Sequence, residues 1–320
     1  MRQRDISIDI LKFFAVLLIT NSHMESLYGI YSILATGGAI GDVLFFFCSG
    51  FTLFLGQERR FDNYYKRRIN RIYPTVLMWA LLASVCFGQH EDMKYTILYG
   101  GGWFVSCIMI YYVVLYFIRK FVFRHLWMAF TICALVSLLW YCIIDKPAGF
   151  NMYGATYFKW CHYFLFMLLG AILGSHPIKQ SISLPWDALK LIGSILVFYG
   201  ILIAGRKWNV VYELQVLSLI PLLGVTYYFY KLCKSDIMLK LYYSPVIGPV
   251  VKTISGLCLE VYLVQGVLFT DKLNQIFPLN LLVVFAMILL LAYVLRCMAR
   301  WFSQTFKEED YQWKEILKIY

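Results

Sequence analysis

Asp9-Ile-Leu-Lys12-Phe-Phe-Ala-Val-Leu-Leu-Ile-Thr20-Asn21-Ser22-His23 places an acid, a base and a histidine inside a run otherwise apolar enough to cross a membrane. At about 100° per residue, Asp9, Lys12, Val16, Thr20 and His23 fall within roughly an 80° arc, and leucine and isoleucine cover the rest of the helix. At about 1.5 Å rise per residue, Asp9 and His23 stand roughly 21 Å apart along the axis. One polar stripe therefore runs from near one membrane face to near the other. Ionisable groups inside a bilayer are costly, so they face protein or water and mark function. The bland reading is that Lys12 snorkels to the near interface and His23 packs at the far end; alignment of the whole set favours the functional one.

The rest of the chain agrees with a membrane setting. Of 320 residues 61% are hydrophobic and 15% charged, and the mean hydropathy is +0.68. Soluble domains carry about 45–50% apolar and about 25% charged residues. The net charge of +11 would suggest nucleic acid as a partner of a soluble protein; here it reports orientation and anionic ligands, and no nucleic-acid partner is expected. The nine cysteines include no Cys-x-x-Cys pair and read as small buried hydrophobes. The first apolar run lacks a small-residue cleavage site and reads as a retained span.

Segments able to cross about 30 Å of hydrocarbon lie near 6–25, 37–56, 72–87, 99–118, 126–144, 158–174, 189–204, 213–230, 254–271 and 279–300. The expected fold is all-α: a polytopic membrane protein of about ten transmembrane helices. The run 236–253, amphipathic and interrupted by Pro245 and Pro249, reads as interfacial or re-entrant. With ten spans both termini share a side, which carries 22 Lys and Arg against six on the other. The positive-inside rule makes that side cytoplasmic and puts His23 toward the outer face. There is no internal repeat and no long linker, so 1–320 is expected to be one membrane domain, with 302–320 a short cytoplasmic tail.

Further stretches could carry chemistry. The loop 57–74 holds six bases; Arg67 lies among them, and Arg68 and Arg71, three apart, share a helical face and could grip a phosphate. Basic cytoplasmic loops also arise for topology and lipid headgroups alone. Arg119, Lys120 and Arg124 could complete a polyanion site. Ser49 and Gly50 beside phenylalanines permit close helix approach. Gly100-Gly101-Gly102-Trp103 puts flexible backbone and an aromatic at the outer interface. Leu259-Glu260-Val-Tyr262-Leu-Val-Gln265 carries an acid deep in an apolar run, for which Lys12 or Lys252 would be a pairing partner. Among the other histidines, 90, 125 and 176 look like loop residues, while His162 could face the same cavity as His23. No His or carboxylate cluster has metal-ligand spacing, so no metal is expected.

Together, Ile8-Asp9-x-x-Lys12 with His23 eleven residues on, Phe45-Phe46-x-x-Ser49-Gly50-Phe51, Arg68-x-x-Arg71-Ile-x-Pro74, Trp103-Phe104-Val105 and Leu259-Glu260-Val-Tyr262-Leu-Val-Gln265 resemble the integral-membrane acyltransferase-3 family. That family includes bacterial surface-polysaccharide O-acetyltransferases. The resemblance implies a ten-helix fold in the bacterial inner membrane that moves an acyl group, here expected to be acetyl, from cytoplasmic acetyl-CoA (acyl-CoA) to a carbohydrate. The acceptor would be a surface polysaccharide or lipid-linked glycan. The resemblance also makes His23 the catalytic histidine and Arg68 and Arg71 the donor-holding pair, with Lys12 where many relatives carry arginine. Two positions depart from the pattern: Ile108, where many relatives have glutamate, and Gln265, where many end the signature in histidine.

Physical chemistry is compatible with that reaction. A pantetheine arm of roughly 15–20 Å is comparable with the rise from Lys12 to His23 at about 1.5 Å per residue. His23 could act as general base on a sugar hydroxyl or be acylated itself. Asn21, Ser22 or Trp103 could donate to the oxyanion, and Asp42 could orient the imidazole. Trp103, Tyr153, Tyr157 and Trp160 offer flat faces to a sugar, with Tyr262 and Glu260 as further substrate contacts. The alternative class is a multi-span transporter or flippase for a glycan or lipid.

Overall fold

A computed structural model describes residues 5–57, 59–147, 149–175 and 182–319; Arg2, Arg4 and His176 lie outside them. The described residues are helical throughout their ordered elements, with no strand. The principal helices are α1 (Ile6–His23), α2 (Gly38–Leu55), α3 (Phe61–Phe87), α4 (Gly102–Val122), α5 (Leu126–Ile143) and α6 (Lys159–Ser175). They continue with α7 (Leu184–Lys207), α8 (Leu219–Cys233), α9 (Asp236–Tyr243), α10 (Ile247–Gly256), α11 (Cys258–Val264) and α12 (Leu279–Thr305).

All ten apolar segments read from the sequence are helical. Among the described residues seven helical runs are long and apolar enough to span a bilayer, or up to eight if the bent pair α10–α11 is one span. The difference from ten has three sources. A single run of 42 residues, Gly102–Ile143, joins two expected segments through the 3-10 turn Phe123–His125, and α6 has only 17 residues. The ninth expected span is broken instead of continuous. α10 and Cys258–Leu268 meet at 65°, just after Ser255-Gly256, a pair of the kind that kinks helices.

The chain divides into two compact units: 1–15, 39–57 and 114–244 form unit 1, and 16–38, 58–113 and 245–320 form unit 2. In unit 1, α2 and α6 cross with their backbones in contact. A Cβ on Gly50 would stand 1.9 Å from the Met167 carbonyl oxygen, and one on Gly170 would stand 2.1 Å from that of Phe47. These glycines give the close approach that Ser49-Gly50 suggested. α6 is apolar on all sides from Tyr163 onward and is buried along nearly its whole length, as such helices are. Arg119 caps the end of α2, donating to the carbonyls of Leu53 at 2.6 Å and Gly56 at 2.5 Å, which satisfies acceptors a helix end leaves open.

In unit 2, α12 packs on α3 and α11. α3 stops at Gly88, whose φ of +65° is the left-handed geometry a helix end favours. The segment after α1 is tied down by Asn280 Nδ2, which donates to the Leu27 carbonyl at 2.7 Å, and by Asn274 Nδ2, which donates to that of Ser26 at 2.9 Å. Tyr31 stacks on Phe277 with ring centres 5.4 Å apart.

Candidate functional site

The stripe on α1 is buried at Asp9, Val16 and Thr20 and opens at its last residue, His23, which is exposed. Two residues earlier, the Asn21 amide is committed to the loop that follows. Its Nδ2 donates to the carbonyls of Leu34 and Thr36, each at 2.9 Å, and its Oδ1 accepts from the Tyr28 hydroxyl at 2.5 Å. Burial pushes the Tyr28 phenol above its ordinary value, which keeps it a donor. Asn21 thus fixes the loop beside His23. Ser22 Oγ donates to the Ile19 carbonyl at 2.7 Å, a back-bond within the helix.

In unit 2 a polar cavity of about 480 Å³ lies between α3, the α10–α11 break, α12 and the segment after it. Arg71, Arg296, Arg300 and Lys307 line it, against the carboxylates of Glu260 and Glu315, so two positive charges are in excess. Glu260 is paired, and neither Lys12 nor Lys252 is the partner: Arg296 grips it through Nε at 3.2 Å and Nη2 at 3.0 Å. The two-pronged geometry is that of a strong carboxylate–guanidinium pair. The same Nη2 donates to the Gly256 carbonyl, a backbone acceptor exposed by the helix break. Arg296 thereby supplies the partner that irregular backbone inside a membrane needs. Asn70, Thr75, Ser303 and Gln304 add neutral hydrogen-bonding groups to the wall.

Arg68 and Arg71 do not act on one surface. Arg71 lines the cavity, whereas the Arg68 guanidinium lies 5.6 Å from the ring centres of both Tyr64 and Tyr112. Its Nε is buried without a hydrogen-bond partner. Tyr64 holds this arrangement by donating to the Tyr112 carbonyl at 3.1 Å. Arg67 is exposed.

Glu260 and Tyr262 part in the same way. Tyr262 packs on Phe104 with ring centres 5.5 Å apart, and a Cβ on Gly102 would meet its hydroxyl at 2.9 Å. Gly102, at φ +64°, starts α4 in a conformation suited to glycine. The expected substrate residues Trp103 and Tyr262 both lie against Phe104, with Trp103 half-buried and edge-on to it. Glu260 belongs to the cavity.

The remaining sequence candidates fall in unit 1. Asp9 accepts from the Tyr242 hydroxyl at 3.2 Å, and Lys12 is half-buried. Asp42 has the Tyr163 hydroxyl and the Lys159 charge as neighbours. His162 is fully buried among Tyr153, Phe158 and Tyr163, and its Nε2 bonds to the Met152 carbonyl at 3.0 Å. Tyr153 is turned inward onto Ser218 Oγ at 2.6 Å, and burial raises its phenol above the ordinary value. Tyr157, in contrast, is 80% exposed and lies near Trp160.

Arg296, Arg300, Ser303, Gln304 and Lys307 were not picked out from the sequence as site residues. The available signal was the spacing of Arg296 and Arg300, which puts two bases on one face of an apolar helix. A second was the need of Glu260 for a strong partner.

An all-helical multi-pass membrane protein with a base-rich cavity at the end of its last long helix is the class that fold and site define. The model of a family described as an acyltransferase domain, acyltransferase-3, matches residues 5–297; the chain belongs to that family and is a membrane acyltransferase. No curated protein and no solved structure matches it.

Proposed function

We propose that the protein is an O-acyltransferase of the bacterial inner membrane that takes acetyl groups from cytoplasmic acetyl-CoA and places them on a hydroxyl of a cell-envelope carbohydrate. The observation that carries the reading is the cavity lined by Arg71, with its excess of positive charge. Coenzyme A is polyanionic at its nucleotide end, and Arg and Lys are the side chains that recognise phosphate. In this reading Arg71 holds the phosphates and Arg68 orders the start of α3 through its two tyrosines. The pantetheine arm carries the thioester toward His23.

His23 acts as general base. Its neutral imidazole takes the proton of the sugar hydroxyl as the oxygen attacks the thioester carbonyl. The C–S bond breaks, the ester C–O bond forms, and the proton passes to the departing thiolate, giving free coenzyme A. Trp103 presents its ring to the acceptor, which is a polysaccharide or its lipid-linked precursor.

The test is acetyl-CoA binding to detergent-purified protein, followed by thermal shift, with wild type beside Arg71→Ala. Stabilisation of wild type that is lost in the variant supports the donor assignment, and no shift at millimolar acetyl-CoA overturns it. With a bacterial envelope extract as acceptor, His23→Ala should abolish coenzyme A release while the protein stays folded. An acetylated His23 trapped by mass spectrometry in the absence of acceptor would replace the base mechanism with a covalent one.

A further inference from the structure

The segment after α12 folds back onto that helix. Arg300 Nη1 donates to the Glu315 carbonyl at 3.1 Å and the Ile316 carbonyl at 3.4 Å, and also to the carbonyl of Lys318. Tyr293 donates to the Leu317 carbonyl at 2.7 Å, and the Gln312 N–H donates to Gln304 Oε1 at 2.9 Å. Ile316 is 2% exposed, so an apolar anchor backs the polar bonds. A stretch with many charged residues is thereby held against an apolar helix.

The latch sets the composition of the cavity wall. It brings Glu315 to the cavity, opposite Arg71, Arg296, Arg300 and Lys307. Arg296 is neutralised by Glu260 at 3.0 Å. Arg300 bonds to carbonyls, which carry no net charge, so its positive charge still acts on the cavity. Lys307 is exposed at the rim, and neither it nor Arg71 forms a salt bridge among the described residues. The salt bridge of Glu315 among the described residues is to Lys318, at 3.9 Å with both side chains more than half exposed, a pair worth little, and its charge also acts on Arg300. The wall thus has three bases open to a ligand and one weakly held carboxylate. Its volume lies in the range of small-molecule sites, roughly 300–1,000 Å³.

We propose that the end of α12 and the segment latched to it form the phosphate-binding half of this cavity. Lys307 contacts the phosphate directly. Arg300 adds its charge while holding the wall, and Glu315 is the resident counter-charge that an arriving phosphate displaces. The inference rests on the donor reading above, but it assigns residues outside the Arg68–Arg71 stretch. A nucleotide phosphate of the donor and the headgroup of an anionic lipid share this chemistry, so the test separates them.

Wild type, Lys307→Gln, Glu315→Gln and Arg71→Ala are placed in nanodiscs of neutral phosphatidylcholine, and radiolabelled acetyl-CoA binding is measured by equilibrium dialysis. Loss of one charge-assisted contact should weaken binding about tenfold in Lys307→Gln. Removal of the competing carboxylate should tighten it about two- to fivefold in Glu315→Gln. Lys307 is exposed, so the melting temperature of its ligand-free variant should equal that of wild type. Unchanged affinity in both variants, with Arg71→Ala weakened, overturns this inference and leaves the donor reading standing. Absence of binding in wild type overturns both. Repeating the series with phosphatidylglycerol tests the other source. If phosphatidylglycerol binding is lost in Lys307→Gln while acetyl-CoA affinity is the same as that of wild type, the phosphate held by Lys307 is a headgroup and the donor assignment of this half fails.

Discussion

In unit 1 Asp187 meets Lys231 at 2.7 Å with both side chains nearly enclosed, and Asp5 meets Lys234 at 3.4 Å. In unit 2 Arg71 and Lys307 face a cavity where bases outnumber carboxylates. The same residue types thus serve two ends. A charge enclosed with its opposite holds helices in place, and removing one partner strands the other. A charge facing open volume adds little to stability and is poised for a ligand. Presence of a charge in an apolar chain is therefore weak evidence of function until its partner is known.

Four substitutions or conditions would break or sharpen that contrast. The largest effect is expected in the packed seam of unit 1. Gly50→Ala would drive a methyl to within 1.9 Å of a backbone carbonyl oxygen, and overpacking of about 3 kcal/mol or more should remove the monodisperse peak in fluorescence-detected size exclusion. Next, Asp187→Ala strands Lys231 and also strips the Ser183 N–H of its acceptor, now at 3.0 Å. A loss of about 3–5 kcal/mol should show as a lowered melting temperature, while acetyl-CoA affinity of the folded fraction stays at the wild-type value.

Arg71→Ala should show the reverse pattern. Acetyl-CoA binding should weaken about tenfold or more, with the ligand-free melting temperature within error of wild type; a large stability loss instead would make Arg71 a structural residue. The smallest effect is that of salt. Raising ionic strength from about 0.1 M to about 1 M shortens the screening length from about 10 Å to about 3 Å. Donor binding should weaken severalfold in dialysis, while the enclosed Asp187–Lys231 pair keeps the melting temperature nearly constant.

Much of the fold could be read from the sequence, because hydrophobic runs and small residues act locally. Each apolar segment is helical, and Gly50 marks a close helix crossing. Less of the site was legible. Arg68 and Arg71 are neighbours on a helix surface, yet Tyr112 on α4 draws one aside while α12 meets the other. Only tertiary packing decides that. Asn21 reads equally well as an oxyanion donor and as a loop clamp, since the difference lies in carbonyls more than ten residues away. Glu260 announced that it needed a partner, but which of several bases would reach it depended on how α11 lies against α12. The segment 302–320 read only as a short tail, because most of the bonds that hold it are made to backbone carbonyls, which no composition reveals.

The seam at Gly50 and Gly170 has a consequence for the surrounding bilayer. Two helices without room for a methyl group between them have no room for an acyl chain of a lipid. Hydrocarbon that wedges between looser helices is shut out of this crossing, whereas α5 and α7 present Leu139, Ile143, Leu189 and Leu196 outward. Lipid acyl chains therefore meet unit 1 on faces such as those of α5 and α7, and not at the α2–α6 crossing.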